Sequence, residues 1–215
     1  MDRLNIGIVI PAFNEEKTIV SVINEVIPFG IPIVVNDGST DRTAPKALNA
    51  GATIVNHQIN TGYDAALNSG FLKAIELNCQ IIITFDADGQ HKSTLIKSFL
   101  KEINNGADVV IGIRNKRARI TEIIFSWIAK ALWKIEDPLC GMKAYRSLVY
   151  KDLGHFDSYK SIGSELSIFA AKNKYWISQI PVSISDRTDK PRLGSIFSSN
   201  YKIFRAIINS VLKYQ

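Results

Sequence analysis

The sequence of 215 residues lacks several common signatures of function. It has neither G-x-G-x-x-G after its first apolar run nor G-x-x-x-x-G-K-[ST], which excludes the usual dinucleotide-binding and P-loop classes. It has no G-x-S-x-G, and its three histidines do not have the spacing of zinc ligands. The two cysteines, Cys79 and Cys140, form no metal-binding or redox motif, so we expect free thiols in a reducing compartment.

Long apolar runs are also missing. No stretch reaches about 18 consecutive apolar residues, and the N-terminus has no small-residue cleavage site. We therefore expect a cytoplasmic protein without a membrane-spanning segment, and peripheral contact with the inner face of a membrane stays open. The formal net charge of +6 favours an anionic partner such as a nucleotide, a phospholipid surface or a nucleic acid. Basic residues do not alternate with aromatic residues along one element, which argues against nucleic acid.

Apolar runs of strand length alternate with segments of helical period over the first half of the chain. Such runs separated by helices predict an α/β fold with a mostly parallel sheet flanked by helices. We predict a single domain over 1–215 that ends in an amphipathic helix over 196–215. In the first helix, Asn14 is the predicted N-cap and Val26 the end. The other predicted strands lie at 6–10, 31–35, 53–55, 81–85, 109–111 and 177–184, and the loop "DPLCGMKAYR" is predicted to enter a further short strand. The other predicted helices lie at 42–49, 62–77, 94–104, 121–133 and 163–173.

Two carboxylates one residue apart follow the most apolar strand, in "TFDADGQH". In a parallel sheet, ligands bind beyond the carboxyl ends of the strands, and this places Glu15, Asp37, Asp86 and Asp88 at one edge. Asp86 and Asp88 are suitable ligands for a hard divalent cation such as Mg²⁺ or Mn²⁺, to which Gln90 adds a neutral oxygen. The alternative is that both carboxylates only bind turn amides and cap the next helix.

Six segments in order extend this pattern. "IPAFNEE", "VVNDGSTD", "TFDADGQH" and "GIRNKR" follow successive strands, and "DPLCGMKAYR" and "QIPVSISDRTDKPRLGS" come later. Together they resemble the family-2 glycosyltransferases with the GT-A fold, a Rossmann-like fold of nucleotide-diphospho-sugar transferases. The likeness is greatest to the dolichyl-phosphate mannosyltransferase branch and its polyprenyl-phosphate glycosyltransferase relatives. The resemblance covers about residues 6–195.

The resemblance implies a GDP- or UDP-linked sugar donor and a role for each matching residue. The base and ribose would contact Pro11, Phe13 and Glu15, with Val35 and Asp37 beside the nucleoside. Asp86, Asp88 and Gln90 would hold the metal on the diphosphate, with Ala87 touching the nucleotide through its backbone. Arg114, with Arg117 or Arg119, would bind the diphosphate or sugar. Arg187 and Arg192 would bind there too, from a loop at 185–195 that closes over the donor.

The acceptor distinguishes two inverting reactions. The oxygen of a polyprenyl or dolichyl phosphate is already anionic near neutral pH and needs no general base. A saccharide hydroxyl, as in surface polysaccharide synthesis, needs a carboxylate to take its proton, and Asp137 is the candidate, acting together with metal-bound Asp88. A nucleotide-sugar-binding module without turnover is a further alternative, against which the intact Asp86-x-Asp88 argues.

The predicted terminal helix offers a surface for the lipid. Phe197, Tyr201 and Phe204 lie on its apolar side, with Lys202 and Arg205 at the polar margin. Packing of this helix on the sheet, or against a second copy in a homodimer, is the alternative.

Overall fold

The fold alternates strands and helices along most of the chain. The computed structural model describes residues 5–89, 92–115, 119–183 and 196–214, with side chains from residue 199 onward in the last segment. The strands are β1 Ile6–Ala12, β2 Ile31–Asp37, β3 Thr53–His57, β4 Ile81–Thr84, β5 Val109–Arg114, β6 Lys143–Arg146 and β7 Ile177–Val182. The helices are α1 Ile19–Val26, α2 Thr43–Asn49, α3 Tyr63–Glu76, α4 Leu95–Asn104, α5 Ile120–Trp133, α6 Ser147–Leu153, α7 Glu165–Lys172 and α8 Ile196–Tyr214.

The seven strands form one sheet in the order β3-β2-β1-β4-β6-β5-β7. Neighbouring strands are parallel except for β6, which runs antiparallel to both β4 and β5. The predicted mostly parallel α/β sheet is confirmed. The direction of β6 is a finding of the structure, since its short run of four residues carries no sequence signal for direction.

Helices cover both faces of the sheet, so the central strands are apolar on both sides. Val9, Ile33 and Val35 join the core under α3, α5, α7 and α8. Ile8, Ile10 and their neighbours join the second core under α1, α2 and α4. A glycine lets α3 approach the sheet closely, because a Cβ at Gly70 would lie 2.2 Å from Cγ1 of Val9.

The start of the first helix was predicted wrongly. α1 begins at Ile19 rather than after Asn14, whose φ of 55° is left-handed. The side-chain oxygen of Asn14 instead accepts a hydrogen bond from the backbone N–H of Thr40 at 2.9 Å. Asn14 therefore ties the loop after β1 to the loop after β2, a contact between distant residues that outweighs local capping.

The terminal helix α8 lies beside α5. Thr121 donates a hydrogen bond to Asn200 at 2.8 Å near the start of both helices, and Trp133 donates to the carbonyl of Tyr214 at 3.0 Å near their ends. The two helices therefore run side by side in the same direction. Across the described part of the chain, no helix is long and apolar enough to cross a membrane.

Candidate active site

The loops that follow β1, β2 and β4 meet at the carboxyl edge of the sheet, because these three strands are adjacent and parallel. Hydrogen bonds join the first two loops: Asn14 N–H donates to Ser39 Oγ at 3.0 Å, and Glu15 N–H donates to Thr43 Oγ1 at 2.8 Å. Glu15 itself is buried. The predicted grouping of Glu15 and Asp37 with the Asp86–Asp88 turn at one edge is what the strand order produces.

Asp37, at the end of β2, is buried and organises the loop that leads into α3. Its carboxylate accepts hydrogen bonds from Thr61 N–H at 2.9 Å, Thr61 Oγ1 at 2.7 Å and Gly62 N–H at 2.8 Å, and it pairs with His57 Nδ1 at 2.7 Å. Burial alone would raise the pKa of Asp37, but these hydrogen bonds outweigh it and lower the pKa below its usual value. The carboxylate is thus ionised at neutral pH and already holds residues 57–62 in place.

The other residues assigned to the nucleoside pocket differ in exposure. Pro11 and Phe13 are half-buried at the sheet edge, and Ala87 is buried. The side chain of Val35 lies inside the core against α3, where a Cβ at Gly70 would be 3.1 Å from its Cγ2. Any contact of Val35 with a nucleoside is therefore made by its backbone.

Asp86 and Asp88 are half-buried in the turn after β4. The Asp86 carboxylate lies against the backbone of Gly141, where a Cβ would be only 2.3 Å from its Oδ2. Thr84 Oγ1 donates to the carbonyl of Gly141 at 2.6 Å and fixes this approach. Glycine at 141 thus leaves the space that the Asp86 carboxylate occupies.

This acidic turn fits a divalent cation that is shared with a substrate. Within the described residues, no group of three or more His, Cys, Asp or Glu side chains forms a complete metal cage. Mg²⁺ is usually held by one or two carboxylates together with substrate phosphates and water, rather than by an all-protein cage. Asp86 and Asp88 supply two such carboxylates at a solvent-accessible edge, while Gln90 lies outside the described residues.

Asp137 and Arg114 form a buried ion pair. Arg114, the last residue of β5, donates from Nε at 2.8 Å and from Nη2 at 2.8 Å to the two carboxylate oxygens of Asp137, which is fully buried. The backbone N–H of Arg114 donates to the same carboxylate at 3.1 Å. Burial disfavours the charged guanidinium, but the hydrogen bonds and charge of Asp137 outweigh it and raise the pKa of Arg114.

Glu122 extends this pair into a group of two cations and two carboxylates. Its carboxylate lies 3.3 Å from Nη1 of Arg114 and 2.9 Å from Nη1 of Arg119. Arg114 and Arg119, two of the arginines that the resemblance assigns to the diphosphate or sugar, are thus already paired with carboxylates. Their contact with a donor stays a prediction, and Arg117, Arg187 and Arg192 lie outside the described residues.

Two residues near the acidic turn received no role from the sequence. Tyr63 as a whole is 37% exposed, but burial of its hydroxyl and the charges of Asp86 and Asp64 raise the pKa of that group well above its usual value, so it remains protonated. Lys143 is a buried lysine on β6. Tyr63 begins a segment that reads as an ordinary amphipathic helix. Lys143 belongs to the "DPLCGMKAYR" motif, but its burial depends on the pairing of β6, which the sequence does not reveal.

Comparison with known proteins agrees with this architecture. The sequence is 28% identical over 222 residues to a dolichyl-phosphate hexose transferase of Haloferax volcanii, covering 97% of this chain and 95% of that protein. It is 29% identical over 242 residues to a UDP-N-acetylglucosamine–dolichyl-phosphate N-acetylglucosaminyltransferase of Methanococcus voltae, covering 96% of each.

Solved structures share the fold. Glucosyl-3-phosphoglycerate synthase from Mycobacterium tuberculosis, in complex with Mn²⁺ and UDP-glucose, superposes with a TM-score of 0.78 at 22% identity, covering 98% of this chain and 79% of that one. The predicted GT-A fold is confirmed by this likeness. The family described as "Glycosyl transferase family 2" matches residues 7–127, more than half of the chain. The chain therefore belongs to glycosyl transferase family 2 and is a glycosyltransferase.

Proposed function

We propose that this glycosyltransferase moves a hexose from a nucleoside-diphosphate sugar to a polyprenyl or dolichyl phosphate, with inversion at the sugar. The observation that carries the proposal is the buried ion pair of Asp137 with Arg114, since Asp137 is the carboxylate that a hydroxyl acceptor would need as a base. Asp137 is fully buried and holds Arg114 through three hydrogen bonds. A proton taken up by Asp137 would disrupt this pair and leave a guanidinium without its main counter-charge, which is costly in a buried setting.

A second buried carboxylate, that of Glu165, also has a structural role. Glu165, the first residue of α7, is fully buried and accepts hydrogen bonds from Ser158 N–H, Lys213 and Tyr214. As for Asp137, protonation of Glu165 would weaken the hydrogen bonds that it accepts. A lipid phosphate needs neither carboxylate as a base, because its oxygen is already ionised. The names of two relatives, a dolichyl-phosphate hexose transferase and a dolichyl-phosphate N-acetylglucosaminyltransferase, support the same acceptor class.

In the proposed reaction, an anionic oxygen of the acceptor phosphate attacks the anomeric carbon of the donor sugar. The bond between that carbon and the diphosphate oxygen breaks, and the nucleoside diphosphate leaves with the electron pair. Asp86 and Asp88 would hold a divalent cation, which when bound would neutralise the charge that develops on the leaving diphosphate. Asp37 keeps the loop at 57–62 folded beside the nucleoside.

The lipid part of the acceptor fits the exposed sides of α5 and α8. Large apolar side chains are solvent-exposed on both helices: Ile120, Ile123, Ile124, Trp127 and Leu132 on α5, and Tyr201, Phe204, Ile208 and Leu212 on α8. The inner side of α8 is packed on the core through Ile203, Ala206 and Ile207. We propose that the outer sides rest on an anionic membrane surface, because Lys202 is exposed beside them and the chain carries a net charge of +6.

Vesicle binding tests the membrane contact. The double variant Trp127→Ser/Phe204→Ser is expected to lose co-sedimentation with phosphatidylglycerol vesicles. Leu48→Ser, an equally exposed leucine on α2 across the sheet, is the matched control and is expected to bind as the wild type does. Equal binding by the wild type and the double variant would contradict the membrane contact.

An acceptor screen tests the reaction. The protein is incubated with Mn²⁺, polyprenyl phosphate, and labelled UDP-glucose, UDP-N-acetylglucosamine or GDP-mannose in turn. Label is expected to enter the organic phase with one of these donors and to stay in water when Asp86→Ala replaces the wild type. Label that enters an oligosaccharide acceptor instead would favour the surface-polysaccharide reaction, and donor binding without any turnover would favour the binding module.

A further inference from the structure

Lys143, the first residue of β6, is a buried lysine whose ammonium binds backbone carbonyl oxygens. Its ammonium donates to the carbonyl oxygen of Pro138 at 2.8 Å and to that of Gly163 at 2.5 Å. Burial lowers the pKa of Lys143 to about 8, with the charge of Arg114 acting in the same direction and Asp137 and Asp64 opposing it. A charged group held in this way costs folding free energy that an apolar side chain of the same length would not.

The first segment held by Lys143 is 137–142, which borders the candidate active site at two points. Asp137 at its start binds Arg114 at the end of β5. Gly141 near its end lies against the Asp86 carboxylate. By holding the Pro138 carbonyl, Lys143 therefore helps to position both the ion pair of Asp137 with Arg114 and the proposed metal ligand Asp86.

The second segment is the loop 160–163, whose backbone is strained. Lys160 and Ile162 have φ values of 59° and Gly163 has 71°, and a β-branched residue such as Ile162 seldom adopts a positive φ. Asp64 accepts hydrogen bonds from Ile162 N–H at 3.3 Å and from Gly163 N–H at 2.7 Å, while Lys143 binds the Gly163 carbonyl. Strain of this kind persists only where surrounding contacts enforce it, and it is concentrated at functional sites.

The strained loop reaches the acidic turn through Tyr63. A Cβ at Gly163 would lie 3.2 Å from Cε1 of Tyr63, so the loop backbone contacts the tyrosine ring. The charge of Asp86 contributes to raising the pKa of the hydroxyl of the same tyrosine, after burial as the larger cause. Through its two hydrogen bonds, Lys143 thus connects the segment that contacts Asp86 with the loop that contacts the ring of Tyr63.

We propose that Lys143 is a positioning residue for sugar transfer, which fixes segment 137–142 and loop 160–163 relative to Asp86. It acts through these backbone segments and not by contact with the substrate. The proposal rests on the proposed function for the identity of the reaction, but the geometry it describes belongs to the donor side of the site.

Arg146 provides a matched control on the same strand. It also donates to two backbone carbonyls, from Nε to Ala107 at 3.1 Å and from Nη2 to Ile103 at 2.7 Å. It lies at the opposite end of the sheet, however, since Arg146 pairs with Ile81 at the start of β4 whereas Lys143 pairs with Thr84 at its end. Both substitutions remove a cation and two carbonyl contacts, and Arg146→Met also removes an ion pair with Asp108 at 3.8 Å. Only Lys143 borders the candidate active site.

The experiment compares Lys143→Met with Arg146→Met. We expect Lys143→Met to lower kcat by about 100-fold, as small displacements of a reacting geometry do, while the KM for the donor changes by less than about threefold. Hydrogen exchange at 138–142 and 160–164 is expected to accelerate in this variant alone. Arg146→Met is expected to keep kcat within about twofold of the wild type.

Two results would overturn the proposal: a Lys143→Met enzyme with wild-type kcat, or an equal loss of kcat in both variants. If Lys143→Met does not fold, Lys143→Gln, which keeps one donated hydrogen bond, is compared with Arg146→Met instead. Its loss of kcat is expected to be smaller but still greater than that of Arg146→Met. Mn²⁺-dependent hydrolysis of the sugar nucleotide and Mn²⁺–UDP affinity by calorimetry are measured alongside transfer. These donor-side readouts keep the Lys143 test valid even if polyprenyl phosphate proves to be the wrong acceptor.

Discussion

Replacing Asp137 with alanine is expected to lower the free energy of unfolding by about 3 to 5 kcal/mol. The substitution leaves the Arg114 guanidinium largely buried, with a side chain only 16% exposed, and removes both of its bidentate acceptors. Glu122 still lies 3.3 Å from the guanidinium and compensates part of its charge, which places the loss near the lower end, about 3 kcal/mol. A loss of this size is a large share of the stability of a typical domain, which is about 5 to 15 kcal/mol.

Urea unfolding followed by circular dichroism measures this loss, with the Arg114→Met and Asp137→Ala/Arg114→Met variants completing a double-mutant cycle. The double variant is expected to be more stable than Asp137→Ala, since it no longer buries an unpaired charge. Glu76→Ala, which breaks the exposed pair with Lys73, is the control and should cost less than about 1 kcal/mol. If Asp137→Ala costs no more than Glu76→Ala, Asp137 is not locked in a structural pair, and its role as a base is open again.

Three further predictions concern the sheet edge. Asp86→Ala and Asp88→Ala should each abolish Mn²⁺-dependent turnover yet keep the unfolding transition of the wild type, because both are half-buried at a strand end; normal turnover in both variants would refute the metal site. Asp37→Ala should weaken nucleoside-diphosphate binding in calorimetry and cost about 1 to 3 kcal/mol of stability, since four hydrogen-bonding contacts are lost; an unchanged dissociation constant would remove Asp37 from the binding site. Because the pKa of Lys143 is lowered to about 8 in the folded state, the stability of the wild type relative to Lys143→Met should rise as pH increases from about 8 toward 10, and a constant difference over that range would contradict this.

Sequence patterns predicted the parts of the structure that depend on local periodicity. The buried strands β1, β2 and β4 and the long helices α3 and α5 read clearly, because apolar spacing identifies them without knowledge of their partners. The rule that ligands bind at the carboxyl ends of parallel strands then located the acidic edge of the sheet. The short helix α6, Ser147–Leu153, was not predicted, since its seven residues directly follow β6 with no separating turn signal.

What the sequence did not show are contacts between distant residues. The pairing of Arg114 with Asp137 spans 23 positions and depends on how the segment before β6 returns to the sheet. The nucleoside contact of Asp37 stays a prediction, and the sequence did not show that its carboxylate also holds Thr61 and Gly62. The burial of Lys143 follows from the antiparallel insertion of β6 between β4 and β5, and no local pattern encodes that insertion.

The central claim is that the acceptor brings its own anionic nucleophile. The most direct test measures release of the nucleoside diphosphate, and formation of the lipid-linked sugar, with polyprenyl phosphate and with the matching polyprenol. The two acceptors share the same chain and differ only in the phosphate. The structure, in which Asp137 is held by Arg114, predicts turnover with the phosphate and none above background with the alcohol. Equal turnover with polyprenol would show that a general base is available and would contradict the proposed function.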